Sequence, residues 1–132
     1  MLKTGIDLVE IDRIAELYTR YGERFRARVY TDREWTDSAG RAPSLAARFA
    51  AKEATIKALG SREPALREIE VVRSPGGRPR IELHGRAATV ARLQGVRELA
   101  LSLSHAREHA VAVVVLLRDD RRPGARDAEA DR

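Results

Sequence analysis

A small α+β domain, with one long central helix packed on a mainly antiparallel sheet, is the architecture this sequence predicts. Three observations carry it. An apolar segment over residues 5–11 runs straight into helical spacing, an alanine-rich helical run covers 44–59, and two apolar strands at 99–104 and 110–117 flank a short turn. With 132 residues, no internal repeat and no second apolar cluster, the chain has room for one ordinary domain.

Residues 5–11 (GIDLVEI) are apolar on both strand faces, as in a strand buried in a core or an interface. Ile11, Ile14, Leu17, Tyr18 and Tyr21 then recur at helical spacing, and Gly22 is a natural stop. A second short helix fits 23–29. Thr31 with Glu34 three residues later reads as a capping box opening another brief helix, and 37–43 form a loop. The clearest helix spans 44–59, with Ser44 as its N-cap and Gly60 as its stop. Past a charged linker at 61–67, residues 69–72 read as a strand, Pro75-Gly76-Gly77 as a turn and 79–83 as the returning strand. A short helix over 85–94 and the hairpin 99–104 and 110–117, turning near Arg107 and Glu108, complete the domain. Its expected extent is 1–117. Residues 118–132, charged and interrupted by Pro123-Gly124, are expected to be a disordered tail.

Composition narrows the function. A hydrophobic share of 43% supports a packed core, while 5% aromatics argue against the stacked-aromatic surface of single-strand nucleic-acid binders. No run approaches the ~18–20 apolar residues that cross a bilayer, and the first residues lack the apolar core of a secretory signal. Without cysteine there is neither a disulfide framework nor a thiolate metal site. A cytoplasmic protein is the expectation. The net charge of +5 favours anionic partners: nucleic acid, phosphorylated small molecules or an acidic protein. Charge alone does not choose among them, and plain solubility explains it equally.

Two carboxylates stand where carboxylates are costly. Asp7 lies in the apolar strand, between Ile6 and Leu8, and a lone desolvated carboxylate there costs several kcal/mol unless paired or metal-bound. Capping at a strand end is the plainer explanation. With Phe49 set at zero and ~100° per residue, Leu45, Ile56 and Leu59 fall at about −40°, −20° and −80°, and Ala46 at about +60°. Glu53 lands at about +40°, inside that apolar arc, with Lys57 one turn on at about +80°. The plainer explanation here is an ordinary Glu–Lys helix pair. Two such carboxylates suit magnesium, which typically takes one or two carboxylates together with phosphate oxygens and water. No Walker loop or GxGxxG motif accompanies them.

Ser102, Ser104 and His105 form a further polar group at a strand end. His105 there is either a phosphate-binding or acid–base histidine, or one bonded to a turn. A hydrolase triad is not indicated, since no GxSxG elbow occurs. His84 and His109, without such neighbours, read as structural.

Three segments in order, GIDLVEIDRI (5–14), LAARFAAKEATIKALG (45–60) and LSLSHAREHAVAVVVL (101–116), resemble the holo-[acyl-carrier-protein] synthase family of 4'-phosphopantetheinyl transferases. The turn Gly76-Gly77-Arg78-Pro79 resembles that family's middle hairpin, so the likeness covers about 5–117 and implies the phosphopantetheinyl transferase fold. It implies transfer of 4'-phosphopantetheine from coenzyme A to a serine of an acidic acyl carrier protein, with Mg2+ and release of adenosine 3',5'-bisphosphate. Asp7 and Glu53 match the family's magnesium ligands, and Lys57 the lysine facing the coenzyme's pyrophosphate. Arg48, Ser104 and His105 match positions on the coenzyme's phosphate side. Arg13 matches an arginine on the helix that docks the carrier, and Arg20 and Arg24 extend that basic face. Glu53 is the candidate for accepting the serine proton, through water. The family assembles as a homotrimer with its site between neighbouring subunits, and the strand at 5–11 and the run 111–117 are apolar enough for such contacts. One departure stands out. After ALG the family commonly continues with a glycine-rich stretch, where this chain has Gly60-Ser61-Arg62-Glu63-Pro64.

Two rivals remain at this level. A basic nucleic-acid-binding module explains the charge but neither the carboxylates nor the ordered motifs, so no nucleic-acid partner is expected. A catalytically degenerate carrier binder would keep the docking arginines and lack transfer. Docking through exposed arginines weakens as salt rises.

Overall fold

The computed structural model describes residues 1–120. Along the chain run β1 (Leu2–Glu10), α1 (Ile11–Tyr21), α2 (Glu23–Val29), α3 (Asp32–Ser38), α4 (Ala42–Leu59), β2 (Ile69–Arg73), β3 (Pro79–Leu83), α5 (Gly85–Leu93), β4 (Val96–His105) and β5 (His109–Arg118), with a 3-10 turn at Leu66–Glu68. The strands make an antiparallel sheet in the order β1-β5-β4 and a separate antiparallel hairpin, β2-β3. The α+β class is therefore as expected. No helix among the described residues is long and apolar enough to cross a membrane.

α4 lies across the inner face of the three-stranded sheet. On β5 that face is Ala110, Ala112, Val114 and Leu116, all fully buried, in strict alternation with Val111, Val113 and Val115. The helix answers with alanine: Ala46, Ala50, Ala51 and Ala54 are fully buried. Small side chains on both layers let the backbones come unusually close. A Cβ placed on Gly5 would stand 1.9 Å from the carbonyl oxygen of Ala54 and 2.9 Å from the amide nitrogen of Ala58. Only glycine fits there.

α1, α2 and α3 close one side through an aromatic cluster. Tyr18, Tyr30 and Trp35 pack with ring centroids 4.9 and 5.9 Å apart, and Phe25 meets Tyr30 edge-on at 5.8 Å. Tyr30 is fully buried and its hydroxyl donates to the Leu45 carbonyl at 2.8 Å. The Thr31–Glu34 capping box forms as read from the sequence. Glu34 does more than cap, because its buried carboxylate also meets Lys52 of α4 at 2.7 Å.

Some boundaries differ from the sequence reading, each for a physical reason. α4 begins at Ala42, with Arg41 rather than Ser44 as N-cap. Pro43 sits in its first turn, where a missing N–H costs nothing, and the Ser44 hydroxyl accepts from the Arg48 guanidinium inside the helix. β1 extends back to Leu2, and Ile11 opens α1, its amide donating to the Glu108 carbonyl at 2.9 Å. β4 starts at Val96, an irregularity between Val96 and Glu98 having broken the alternation that would have revealed it. At the far end β5 includes Arg118, and the expected tail over 121–132 lies outside the described residues.

The outer face of the sheet is bare. Leu2, Ile6 and Leu8 are 59–66% exposed and Val113 is 37% exposed. In register, Ile6 faces Val113 and Leu8 faces Val111, so these side chains form one apolar strip.

Candidate active site

The strand parity that buries Gly5 and Val9 also turns Asp7 toward α4. Its carboxylate is 18% exposed and accepts from the Lys57 ammonium at 3.1 Å. Lys57 also donates to the Ile6 carbonyl at 2.9 Å. One turn earlier on the same helix, Glu53 shares with Asp7 the wall of an open cleft that also includes Glu10, Arg13 and Phe49. Partial burial raises the Glu53 pKa above the ordinary glutamate value, and the negative charge of Asp7 raises it further, against the opposing pull of Lys57 and Arg62. Asp7, far in sequence from Glu53 and Lys57, thus meets that pair in one place. Lys57 pairs across to β1 rather than back along its helix.

The surroundings of Glu53 differ from the wheel reading. That reading set it within an apolar arc centred near Phe49. From Leu45 to Leu59, however, Phe49, Glu53, Ile56 and Lys57 are the positions α4 leaves incompletely covered, and the alanines make the closest packing. Alanine counts for little in a hydrophobicity sum but permits the tightest approach, so the smallest residues, not the largest, mark the buried side. Glu53 is sheltered, not sealed.

A second cleft, of about 700 Å³, opens between the start of α4, the β2-β3 hairpin and the end of β4. Arg41, Arg48 and Arg73 line it together with Ser44, Ser104 and His105, and no carboxylate does. Arg48 is 4% exposed. Its Nη1 donates to Ser44, while its buried Nε has no partner. Desolvation lowers the Arg48 pKa, with Glu34 opposing and Arg73 reinforcing. A buried guanidinium with an unmet N–H, in a pocket of arginines, has the donor set for an anion such as phosphate.

The structure therefore groups the expected site residues in two sets. Asp7, Glu53 and Lys57 stand together, as do Arg48, Ser104 and His105, and the two clefts share no lining residue. Across the sheet, Asp7 on β1 and His105 on β4 are separated by β5.

Arg13 belongs to the carboxylate cleft. Arg24 lines a third groove with Leu17, Tyr21, Phe25 and Arg28, an apolar floor flanked by cations. Arg20 lies over the Tyr21 ring at 5.4 Å, and Arg26 is occupied by Glu23 and the Trp35 ring. Glu70, Glu82 and His84 bring three potential ligand atoms within 4.8 Å of one another, away from Asp7 and Glu53. Thr31 and His84 already bond Glu70, and Arg33 and Arg80 pair with Glu82, so this cluster reads as a satisfied hairpin network. It includes His84, read from sequence as structural.

Sequence reasoning missed Arg41, Arg73 and Lys52. The two arginines lie in a loop and at a strand end, where nothing in local spacing marks them. Lys52 carried a usable signal, since a cation among closely spaced alanines on a helix needs a buried partner.

Comparison with known proteins agrees with this geometry. The family model described as the 4'-phosphopantetheinyl transferase superfamily matches residues 3–114. The chain is 47% identical over 116 residues to a holo-[acyl-carrier-protein] synthase of Dehalococcoides mccartyi, covering 87% of this chain and 98% of that protein. It is 46% identical over 122 residues to one from Koribacter versatilis, covering 88% and 98%. Among solved structures it is similar to a Chronobacterium ammoniagenes ACPS–CoA complex, with TM-score 0.80 and 34% identity over 91% of this chain and 99% of that one. It is also similar to Helicobacter pylori holo-[acyl-carrier-protein] synthase in complex with coenzyme A, with TM-score 0.79 and 32% identity over 86% and 99%. Fold, ordered motifs and these likenesses agree: the chain belongs to the holo-[acyl-carrier-protein] synthase family of the 4'-phosphopantetheinyl transferase superfamily and is an enzyme of that class.

Proposed function

We propose that this enzyme transfers the 4'-phosphopantetheine group of coenzyme A to a serine of an acidic acyl carrier protein, using Asp7, Glu53 and Lys57. The observation that carries the reading is that Asp7 and Glu53 line one cleft, where burial and then the Asp7 charge raise the cost of charging Glu53. Two carboxylates lining one open cleft fit a hard divalent cation, and magnesium there would neutralise charge on the diphosphate. Lys57, already at the mouth of the pair, is placed to exchange Asp7 for a phosphate oxygen. The serine oxygen bonds to the β-phosphorus, which bears pantetheine, and the bond to the bridging oxygen breaks. Adenosine 3',5'-bisphosphate leaves with the electron pair, and the serine proton passes to Glu53 through water. Positioning and charge supply most of the acceleration in such chemistry.

In this reading Arg48, Ser104 and His105 grip the coenzyme's phosphates, and the orphaned Arg48 Nε supports it. One chain holds these residues and the carboxylates in separate clefts, so the active site is composite. Chains associate through the bare apolar strip of β1 and β5 into a homotrimer, one subunit's arginine cleft adjoining its neighbour's Asp7 and Glu53. Mixing Glu53→Gln chains with Arg48→Ala chains should then restore part of the activity that each lacks alone. No recovery after co-refolding would contradict the composite site. Arg13, Arg20 and Arg24 on the α1–α2 face receive the carrier, beside the apolar groove at Leu17 and Phe25. The proposed compartment is the cytoplasm.

The direct test is incubation with coenzyme A, magnesium and an apo carrier protein, read by intact mass. A gain of one phosphopantetheine, abolished by a chelator, is expected. No gain on any acidic carrier contradicts the reading. A pH consequence also follows. Because the Glu53 pKa lies above the ordinary value, the proton competes with the cation over a correspondingly higher range. Burial and then Asp7 favour the proton on Glu53, and Lys57 and Arg62 oppose it. The magnesium concentration giving half-maximal rate should rise as pH falls through that range, and should do so less in an Asp7→Asn variant.

A further inference from the structure

Lys52 precedes Glu53 on α4, yet its side chain leaves the helix in another direction and is fully buried. Its ammonium donates to Glu34 Oε1 at 2.7 Å, to the Leu66 carbonyl at 3.0 Å and to the Ile69 carbonyl at 2.6 Å, which uses all three N–H groups. Glu34, equally buried, also accepts from the amides of Thr31 and Val71, each at 3.0 Å. One charge pair thus joins the middle of α4 to the start of α3, to the 3-10 turn and to β2.

Burying such a pair is costly, and burial pulls the Lys52 pKa down against the pull of Glu34. Apolar side chains of similar volume often serve stability as well or better. What they lack is direction. Around Lys52, α4 packs through the buried Ala50, Ala51, Ala54 and Ala58, whose methyl groups supply close contact but no directional bond. Arg48 lies one turn before Lys52 on the same face and feels the charge of Glu34, and Glu53 lies next to Lys52 in sequence.

We infer that the Lys52–Glu34 pair is a positioning device for transfer, fixing the rotation and axial setting of α4 and with them Glu53 on one flank and Arg48 on another. The inference rests on the roles proposed above for those two residues. Lys52 touches neither cleft, and it acts only through the helix.

The test replaces both partners at once, Lys52→Met with Glu34→Leu, so that neither charge is left buried alone. The expected protein folds with a thermal midpoint close to the parent. Its magnesium-saturated kcat falls about 10–100-fold, and the magnesium concentration for half-maximal rate rises several-fold. A purely structural pair would leave that concentration unchanged. A folded double variant with parental kcat and magnesium requirement overturns the inference. Lys52→Met with Glu34→Gln, which keeps an oxygen for Thr31 and Val71, is the second variant. If neither folds, the pair is needed for folding itself and the inference is likewise overturned. Glu53→Gln in parallel separates the two levels. Parental transfer in that variant removes the role of Glu53, whereas its inactivity beside a parental double variant removes only the positioning.

Discussion

Replacing Glu53 by glutamine is expected to lower transfer by roughly 10³-fold while leaving the protein as stable as the parent, or more so. The rate effect follows from losing one of the two carboxylates proposed to hold the cation. Charge stabilisation of several kcal/mol is at stake, at about 1.36 kcal/mol per tenfold. The stability effect has the opposite sign because the folded protein does not favour the Glu53 charge. Partial burial and then Asp7 raise its pKa, so above the unfolded value the ionised group works against folding. Removing the charge relieves that opposition. Transfer measured by intact mass beside a thermal melt checks both halves. A variant that melts well below the parent would show Glu53 serving the fold, and one that transfers normally would remove it from the site. Asp7→Asn should match the rate loss without the same relief, since Asp7 is the ion-pair partner of Lys57.

Gly5→Ala should be the most damaging single methyl in the chain. The added carbon would meet the Ala54 carbonyl oxygen at 1.9 Å and the Ala58 amide nitrogen at 2.9 Å, and both are backbone atoms of α4 that no rotamer change can move. Strand and helix must separate, opening the alanine-packed layer along its length. Overpacking of this kind costs about 1–3 kcal/mol or more, a loss of roughly 5–15 °C in Tm for a domain of this size. Transfer should fall as well, because Asp7 lies two residues along the displaced strand. Thermal denaturation and the transfer assay on one preparation decide it. A parental melt would mean that β1 and α4 do not approach as closely as described.

The fold was legible in the sequence wherever local chemistry set it. Gly60 stops α4 in the left-handed conformation, with φ 67°, that its position after Leu59 suggested. Thr31 and Glu34 close the capping box that their spacing implied. The limits appear where tertiary packing decides. Hydrophobicity placed the buried side of α4 near Phe49, but the helix seats its alanines against Gly5 and the small residues of β5, so close approach outweighs side-chain size. Glu34 was visible as a cap but not as the partner of Lys52, because the two lie 18 positions apart in the chain.

The candidate site was legible in the same uneven way. Asp7, Glu53 and Lys57 announced themselves as charges in or beside apolar segments and by their likeness to family motifs; one cleft brings Asp7 and Glu53 together, and Lys57 pairs with Asp7. Arg41 and Arg73 gave no sign, since arginine in a loop or at a strand end is ordinary until a hairpin folds over it. Nor does the sequence reveal that Arg48 and His105 open into a different cleft from the carboxylates. That separation arises from β5 lying between β1 and β4 and from the turn of α4 between Arg48 and Glu53.

Crystals grown with coenzyme A and manganese in place of magnesium, with anomalous scattering recorded at the manganese edge, put the matter most directly. The strongest peak should lie between oxygens of Asp7 and Glu53 and touch the donor's diphosphate. A peak on Glu70, Glu82 and His84 instead, or a diphosphate bound with neither Asp7 nor Glu53 near the ion, would contradict the account.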